Sequence, residues 1–327
     1  MTKPAFVLPS VFALCLAAMP AEAQLARSFV SAAIGNDGNA PNCSRSAPCR
    51  TFQTAHDNTL DKGEVTVLDP GSYGAVTIVK NISVINDGVG EAGILVSGGN
   101  VAVTINAAGA SVTLRGLTVK GIGFGGGSGI QFSVGSASNV ENCTVRNLDG
   151  PLGGTLGVGI AFTPHAAAAL QVTNTIISDN TGDGIFVEQI GGTANVVAVL
   201  DHVGLYNNGG SGLIVAGGSS TGGAVMATVV ESVASNNAGT IGAGFATDTG
   251  TGGAFARILL VRSVASGNSK GLLSSGAGAQ ILVNESAVYG NASGWQAING
   301  GQLFSFGNNA VGRNTTNEGP QSPLSLK

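Results

Sequence analysis

The chain is poor in charge and in aromatic rings. Only 10% of its 327 residues are charged, and it holds one Trp and three Tyr. No Lys or Arg lies between Arg146 and Arg257, and the formal net charge is −4. A nucleic acid would find nothing across that gap to replace its counterions, so a phosphate-backbone partner is excluded. Low charge combined with 43% hydrophobic residues also excludes disorder, which needs the opposite balance. No apolar run is long enough to span a bilayer. What the chain has in abundance is glycine, 53 residues of it, but without the period of three that collagen requires.

The first residues have the form of an export signal. Lys3 supplies the positive start, Phe6 to Ala18 is an apolar run broken by Pro9 and Ser10, and Ala21-Glu22-Ala23 is a small-x-small cleavage site. Cleavage after Ala23 leaves a chain beginning at Gln24, secreted or periplasmic. Cys15 then leaves with the signal. Cys43 and Cys49 bracket a short loop, as a local disulfide does in an oxidising compartment. Zinc is the rival for that pair, but two thiols without a His pair make a poor site. Cys143 sits alone among apolar residues and reads as a small buried side chain.

Internal repeats dominate the rest. A polar corner followed by small apolar residues and an Asn recurs as Glu141–Asn147, Asn174–Asn180, Asp201–Asn207, Glu231–Asn237, Arg262–Asn268, Glu285–Asn291 and Asn308–Asn314. A glycine-led alternating piece follows, with Ile130, Ile160, Ile185, Leu213, Phe245, Leu272 and Trp295 falling in one column. A third strand, before each corner, stacks Val172, Val199, Val229, Leu260, Val283 and Phe306. Three short strands per coil predict an all-β solenoid, a right-handed parallel β-helix, because no coil can bury its apolar face without neighbours. The recurring Asn fits the corners, where it tolerates left-handed backbone and can bond to its own kind above and below. Residues 24–63 form an N-terminal cap, with a helix over Thr51–Leu60. The solenoid runs over 64–314, starting with a strand at Glu64–Leu68, and 315–327 is a loose tail.

Ser28-Phe-Val-Ser-Ala, Pro48-Cys-Arg-Thr-Phe-Gln53 and Asp69-Pro-Gly-Ser-Tyr-Gly74 resemble the start of pectin-lyase-like right-handed β-helix proteins. More narrowly, the chain after its signal is similar to largely uncharacterised exported bacterial β-helix proteins of that superfamily. The resemblance implies the fold and leaves the chemistry open, since the superfamily includes lyases, hydrolases, esterases and non-enzymatic binders. Lyases of the fold, as the resemblance implies, bind Ca²⁺ through acids and abstract a proton with Arg or Lys. Here the outward partners of the glycine-led column are Gln131, Ala161, Phe186, Ile214, Ala246, Leu273 and Gln296, none of them a calcium-binding carboxylate or a base. Pectin-degrading hydrolases of the fold carry neighbouring Asp residues, of which Asn180-Thr-Gly-Asp-Gly184 is an echo. If the chain is an enzyme, Asp179, Asp183 and Glu188 are its candidate acids; as turn residues beside glycine they need no such role.

His56 falls in the cap, His165 in a loop, and His202 in a small-polar column with Thr175, Ser232, Ser263 and Ser286. A His202–Ser232 pair would still lack an orienting acid and an oxyanion hole. Glu231, Arg262 and Glu285 match in three consecutive coils and read as a surface salt-bridge ladder. Val140, Leu200, Val230 and Val261, extended by Leu259 and Leu282, form an outward aliphatic stripe, exposed or covered by the loops 216–224 and 247–254. An exposed stripe suits lateral homo-oligomerisation. The leading expectation is a non-catalytic exported protein that binds a glycan or an envelope protein along its flank, without cofactor or metal. A polysaccharide hydrolase, a Ca²⁺-dependent lyase and a self-associating structural protein are the alternatives.

Overall fold

A computed structural model of the chain describes residues 25–122, 127–150, 157–239, 242–250, 253–318 and 321–325. The export segment 1–23, with Cys15, and the expected new terminus at Gln24 lie outside the described residues. Three parallel sheets run the length of the molecule. Sheet I has twelve described strands, from Leu25–Val30 to Gln321–Pro323. Sheet II has ten, from Gly71–Ser72 to Ala310–Gly312, and sheet III ten, from Val76–Ile78 to Thr316–Glu318. Each coil visits the sheets in turn: Ala168–Thr173 in sheet I is followed by Ile176–Ser178 in sheet II and Ile185–Glu188 in sheet III. Val196–Asp201 then pairs with Ala168–Thr173 to begin the next coil. This is a parallel β-helix.

The column from Ile130 to Trp295 is in register on sheet III. On sheet II, Val119, Val145, Ile177, Leu205, Ala234, Ala265 and Val288 are buried between outward neighbours. Fully burying one such aliphatic side chain contributes about 1.5–3 kcal/mol, and only the coils on either side make that burial possible. Glycine precedes each sheet III column residue for lack of space: a Cβ on Gly184 would stand 2.6 Å from the Gly212 carbonyl oxygen.

On sheet I the register corrects the sequence reading by one residue. Val172 pairs with Leu200, not Val199, and Val283 with Ser305, not Phe306. Val140 and Leu200 are therefore core residues at 0% exposure, and Val199 faces outward at 42%. The error lies in placing the corner at Asp201 and Glu141. The left-handed residues that turn the chain from sheet I to sheet II are Asn142, Asn174, His202, Glu231, Arg262 and Glu285, at φ +47° to +55°. A one-residue slip sends every strand side chain to the opposite face. The outward face of sheet I consequently carries Val197, Val199, Leu259, Leu282 and Phe304. The loops bordering it bond to one another, as Ala254 N to Gly217 O and Thr221 N to Gly192 O.

His202 also leaves the small-polar row, which holds Cys143, Thr175, Val203, Ser232, Ser263, Ser286 and Asn309. In this row each backbone N–H before a hydroxyl donates to it across one coil, as Val203 N to Ser232 Oγ at 3.0 Å and Ser232 N to Ser263 Oγ at 3.2 Å. The amide ladder is shifted likewise: it runs Asn180, Asn208, Asn237, Asn268, Asn291, Asn314, with Nδ2 to Oδ1 distances of 2.9–3.0 Å. Every amide inside it also takes a backbone N–H and donates to a sheet II carbonyl, as Asn237 does with Asn208 N and Leu205 O. Asn207 and Asn147 sit one residue earlier, in a second left-handed row with Asp179 and Asn236 at φ +54° to +58°.

At the N-terminal end, Leu25–Val30 pairs with a strand that begins at Thr59, earlier than expected. The capping helix is Phe52–Asp57, with Thr51 Oγ1 as N-cap and Phe52 and Ala55 buried against the end of the solenoid. Cys43 and Cys49 are disulfide-bonded. Burial alone would raise the Asp69 carboxyl, but hydrogen bonds from Ser31, Tyr73, Ala32 and Ala33 hold it below its usual range. At the other end the expected loose tail adds the strands Thr316–Glu318 and Gln321–Pro323 to sheets III and I.

Two predictions follow from the corners. Asn237→Ala strands several buried donors and acceptors and should cost about 3 kcal/mol or more. Asn314→Ala, at the part-exposed end of the ladder, should cost less, and denaturant midpoints of the two variants compare them. The second concerns Asp183, whose carboxyl accepts Ser211 N at 2.6 Å. Burial pushes it up to about 6 against that bond. A folded value above the unfolded one means that its stability contribution is complete below about pH 4 and fades as pH rises through 6. The residue keeps some solvent contact, so the penalty at neutral pH is on the order of 1–2 kcal/mol. Asp183→Asn should therefore raise the melting temperature at pH 7.5 and not at pH 4; equal shifts at both would sink this account.

Candidate functional site

Sheet II presents one outward row near its second corner: Leu95, Lys120, Arg146, Ser178, Tyr206 and Ser235 are in register on successive strands. Strand pleat decides this, since Val119, Val145 and Ile177 between them point into the core. Lys120 and Arg146 are thus side by side, about 4.8 Å apart along the ladder. Neither forms an ion pair or hydrogen bond with a described residue, and the Arg146 Nε is enclosed without a partner.

Beside this row the corner opens into a trough of about 710 Å³. Its apolar floor is Leu95, Ile122 and Leu148, and its polar groups are Lys120, Asn147, Asp149, Asp179 and Thr181. Thr181 also borders a second hollow of about 570 Å³, which continues along the axis past Asn207 and Asn236. The left-handed row produces this lining, since each corner residue stands clear of the sheet. Tyr206 stands in the same outward row but lines neither hollow. It lies over Gly204, where a Cβ would come within 2.4 Å of the ring.

The three candidate acids do not share this site. Asp179 lines the trough, accepting from Ser178 Oγ at 2.7 Å and from Asn207 Nδ2 at 3.1 Å. Asp183 and Glu188 lie outside its lining, each accepting a backbone N–H of the following coil, from Ser211 and Ser219 respectively. The structure brings Asp179 together with Lys120 and Asp149, two residues the motif search passed over. Alternation around Val119 and Val145 was the signal that could have found Lys120 and Arg146.

No histidine joins the trough. His56 is buried, which depresses its protonation despite the Asp57 carboxylate 2.8 Å from Nδ1, and its Nε2 accepts Val79 N. His165 is exposed in its loop. His202 does not meet Ser232, whose hydroxyl accepts Val203 N and donates to Val230 O. It stands instead in the first left-handed row, 2.9 Å from Glu231, and Arg262 holds the other oxygen of that carboxylate at 2.9 Å. The charge ladder therefore reads His202, Glu231, Arg262 rather than reaching Glu285. Cys143 is buried, its thiol pushed up to about 11 by that burial.

No family model matches the sequence, and no curated protein sequence matches it. Solved structures do match. The pectate lyase Pel9A aligns with a TM-score of 0.51 at 17% identity, over 92% of this chain and 78% of its own. The GH136 lacto-N-biosidase from Eubacterium ramulus aligns with a TM-score of 0.52 at 11% identity, over 92% of this chain and 68% of its own. Identities this low speak for the fold and not for the chemistry. Three parallel sheets, the stacked columns and these likenesses together place the chain in the pectin-lyase-like parallel β-helix fold.

Proposed function

We propose that the protein binds a glycan along the trough at the sheet II–sheet III corner and leaves its glycosidic bonds intact. One observation carries the reading: Lys120 and Arg146 face outward together, with no described acid paired to either, and Lys120 lines a hollow that continues along the axis. Cations in that state suit the carboxylate of an acidic sugar, and the row of amides and hydroxyls suits its other oxygens. Of the acids the sequence suggested for a hydrolase, Asp183 and Glu188 are separately committed to backbone N–H groups, and Asp179 alone lines the trough, beside Asp149.

The enzymatic alternative draws on a different feature of the same trough. Lys120, Asp149 and Asp179 line one hollow, and a lysine beside a bound uronate is a possible base. That two structural neighbours are enzymes, a pectate lyase and a lacto-N-biosidase, supports an enzymatic reading without specifying its chemistry.

Incubation of the purified protein with a panel of acidic and neutral polysaccharides, with and without calcium, separates the two. Expected are retarded migration in gels containing an acidic polysaccharide and unchanged chain-length profiles. Lys120→Ala should weaken binding about five- to tenfold, and added salt should weaken it further. Shortened chains would overturn the non-catalytic reading, and unsaturated product ends would mark a lyase.

We further propose that the protein acts outside the cytoplasm, after cleavage near Ala23. The charged, apolar and small-residue sequence of the first 23 residues supports this, as does the Cys43–Cys49 disulfide. The intact mass of protein recovered from the cell envelope or medium should correspond to a chain starting at Gln24; retention of Met1 would contradict it.

A further inference from the structure

The row of left-handed corner residues carries a group that the trough does not use. His202 Nδ1 lies 2.7 Å from Asp201 Oδ1, and its Nε2 lies 2.9 Å from Glu231 Oε2. A neutral imidazole carries one N–H. If that hydrogen is on Nδ1 and donated to Asp201, the Nε2 lone pair faces a carboxylate lone pair at hydrogen-bond distance. Such an approach is attractive only with a positive charge between the two atoms, either a second proton or a metal ion.

The surrounding groups are set for the second case. A metal-binding histidine usually donates its other ring N–H to a carboxylate, which fixes the ring and strengthens the ligand. Asp201 holds that place. Arg262 Nε takes Glu231 Oε1 at 2.9 Å, leaving Oε2 turned toward the imidazole. One ligand atom from each of Asp201, His202 and Glu231 lies within 4.8 Å of the others, and the side chains are exposed enough for water to complete a coordination shell. His202 and Glu231 belong to adjacent coils, so an ion between them would tie one coil to the next.

We infer that His202 Nε2 and Glu231 Oε2, with Asp201 orienting the ring, form a surface site for a borderline divalent cation of the zinc type. An imidazole beside a carboxylate suits Zn²⁺ better than the hard cations Ca²⁺ and Mg²⁺, which prefer all-oxygen shells. The inference does not depend on the glycan reading, since the trough lies at the other corner of sheet II. The cysteines among the described residues offer no competing thiolate: Cys43 and Cys49 are in a disulfide and Cys143 is buried.

The test is calorimetric titration of ZnCl₂ into the full chain, purified without a polyhistidine tag and stripped with chelator. One Zn²⁺ per chain is expected, with no comparable heat from CaCl₂. His202→Asn is the variant of choice, because Asn already occupies this left-handed row at positions 142 and 174. It should abolish the site while circular dichroism stays unchanged. Asp201→Asn should weaken binding about 10- to 100-fold, and Glu231→Gln should also weaken it. Saturating Zn²⁺ should raise the melting temperature of the native chain and not that of His202→Asn. Absence of a saturable site, equal binding by His202→Asn, or an equal affinity for Ca²⁺ would each overturn the inference.

Discussion

Every coil of this protein depends on the coil beside it. A three-strand coil has no interior of its own: its backbone N–H groups point along the axis, and its inward side chains reach only as far as the next layer. An unpaired backbone donor buried away from water costs as much as a lost hydrogen bond, so the coils must be in register or not form at all. The side chains that enforce register are those bonding in the same direction as the backbone. The Asn208, Asn237 and Asn268 side chains do this with four bonds apiece, two accepted and two donated. A repeat of small hydroxyls does it again at the other corner of sheet II. With two such rows, the short sheet II strands, three residues each in coils such as Ile176–Ser178 and Val233–Ser235, are held at both ends.

The same requirement explains which carboxylates are free for other chemistry. A side chain that accepts a backbone N–H from the neighbouring coil is part of the stack. Asp183 and Glu188 are of this kind, and so is Asn308, whose Oδ1 takes Glu285 N. An acid read from the sequence beside glycine therefore has two possible uses that look alike in one dimension. In space they separate, because the stacking acid points along the axis and the available one points away from it. Asp149 and Asp179, which line the trough, are of the second kind, as are Asp201 and Glu231 at the other corner of sheet II.

How far the sequence could be read follows from the periods involved. Sheet III was legible to the residue, since the glycine before each column residue is demanded by a carbonyl in the adjacent coil and cannot drift. Sheet I was legible only to within one position. Asp201-His202 offers two polar residues where the corner needs one left-handed residue, and Asp is the commoner turn former. The backbone places His202 there, and with that single step Leu200 turns inward, Val199 outward, and His202 moves from beside Ser232 to beside Glu231. Of the trough, Asp179 was legible as a residue but the hollow itself was not. Its walls come from residues 95, 120, 149 and 179, which approach only after four coils have stacked.

Lys120 and Arg146 show why charge content averaged over a chain is a poor guide to its surface. The cation-free stretch that follows Arg146 argues against a basic track along the whole flank, and the structure has none there. Yet two cations on adjacent strands make a stronger local field than the same two scattered, because their separation is set by the strand spacing and lies well inside the Debye length. Keeping like charges that close costs folding energy that an apolar or small residue would not. Ser178 and Ser235 show that the row accepts small polar residues elsewhere, so the stack itself does not demand the cations. An anion held against them would offset that cost, whereas a purely structural rod would have no use for it.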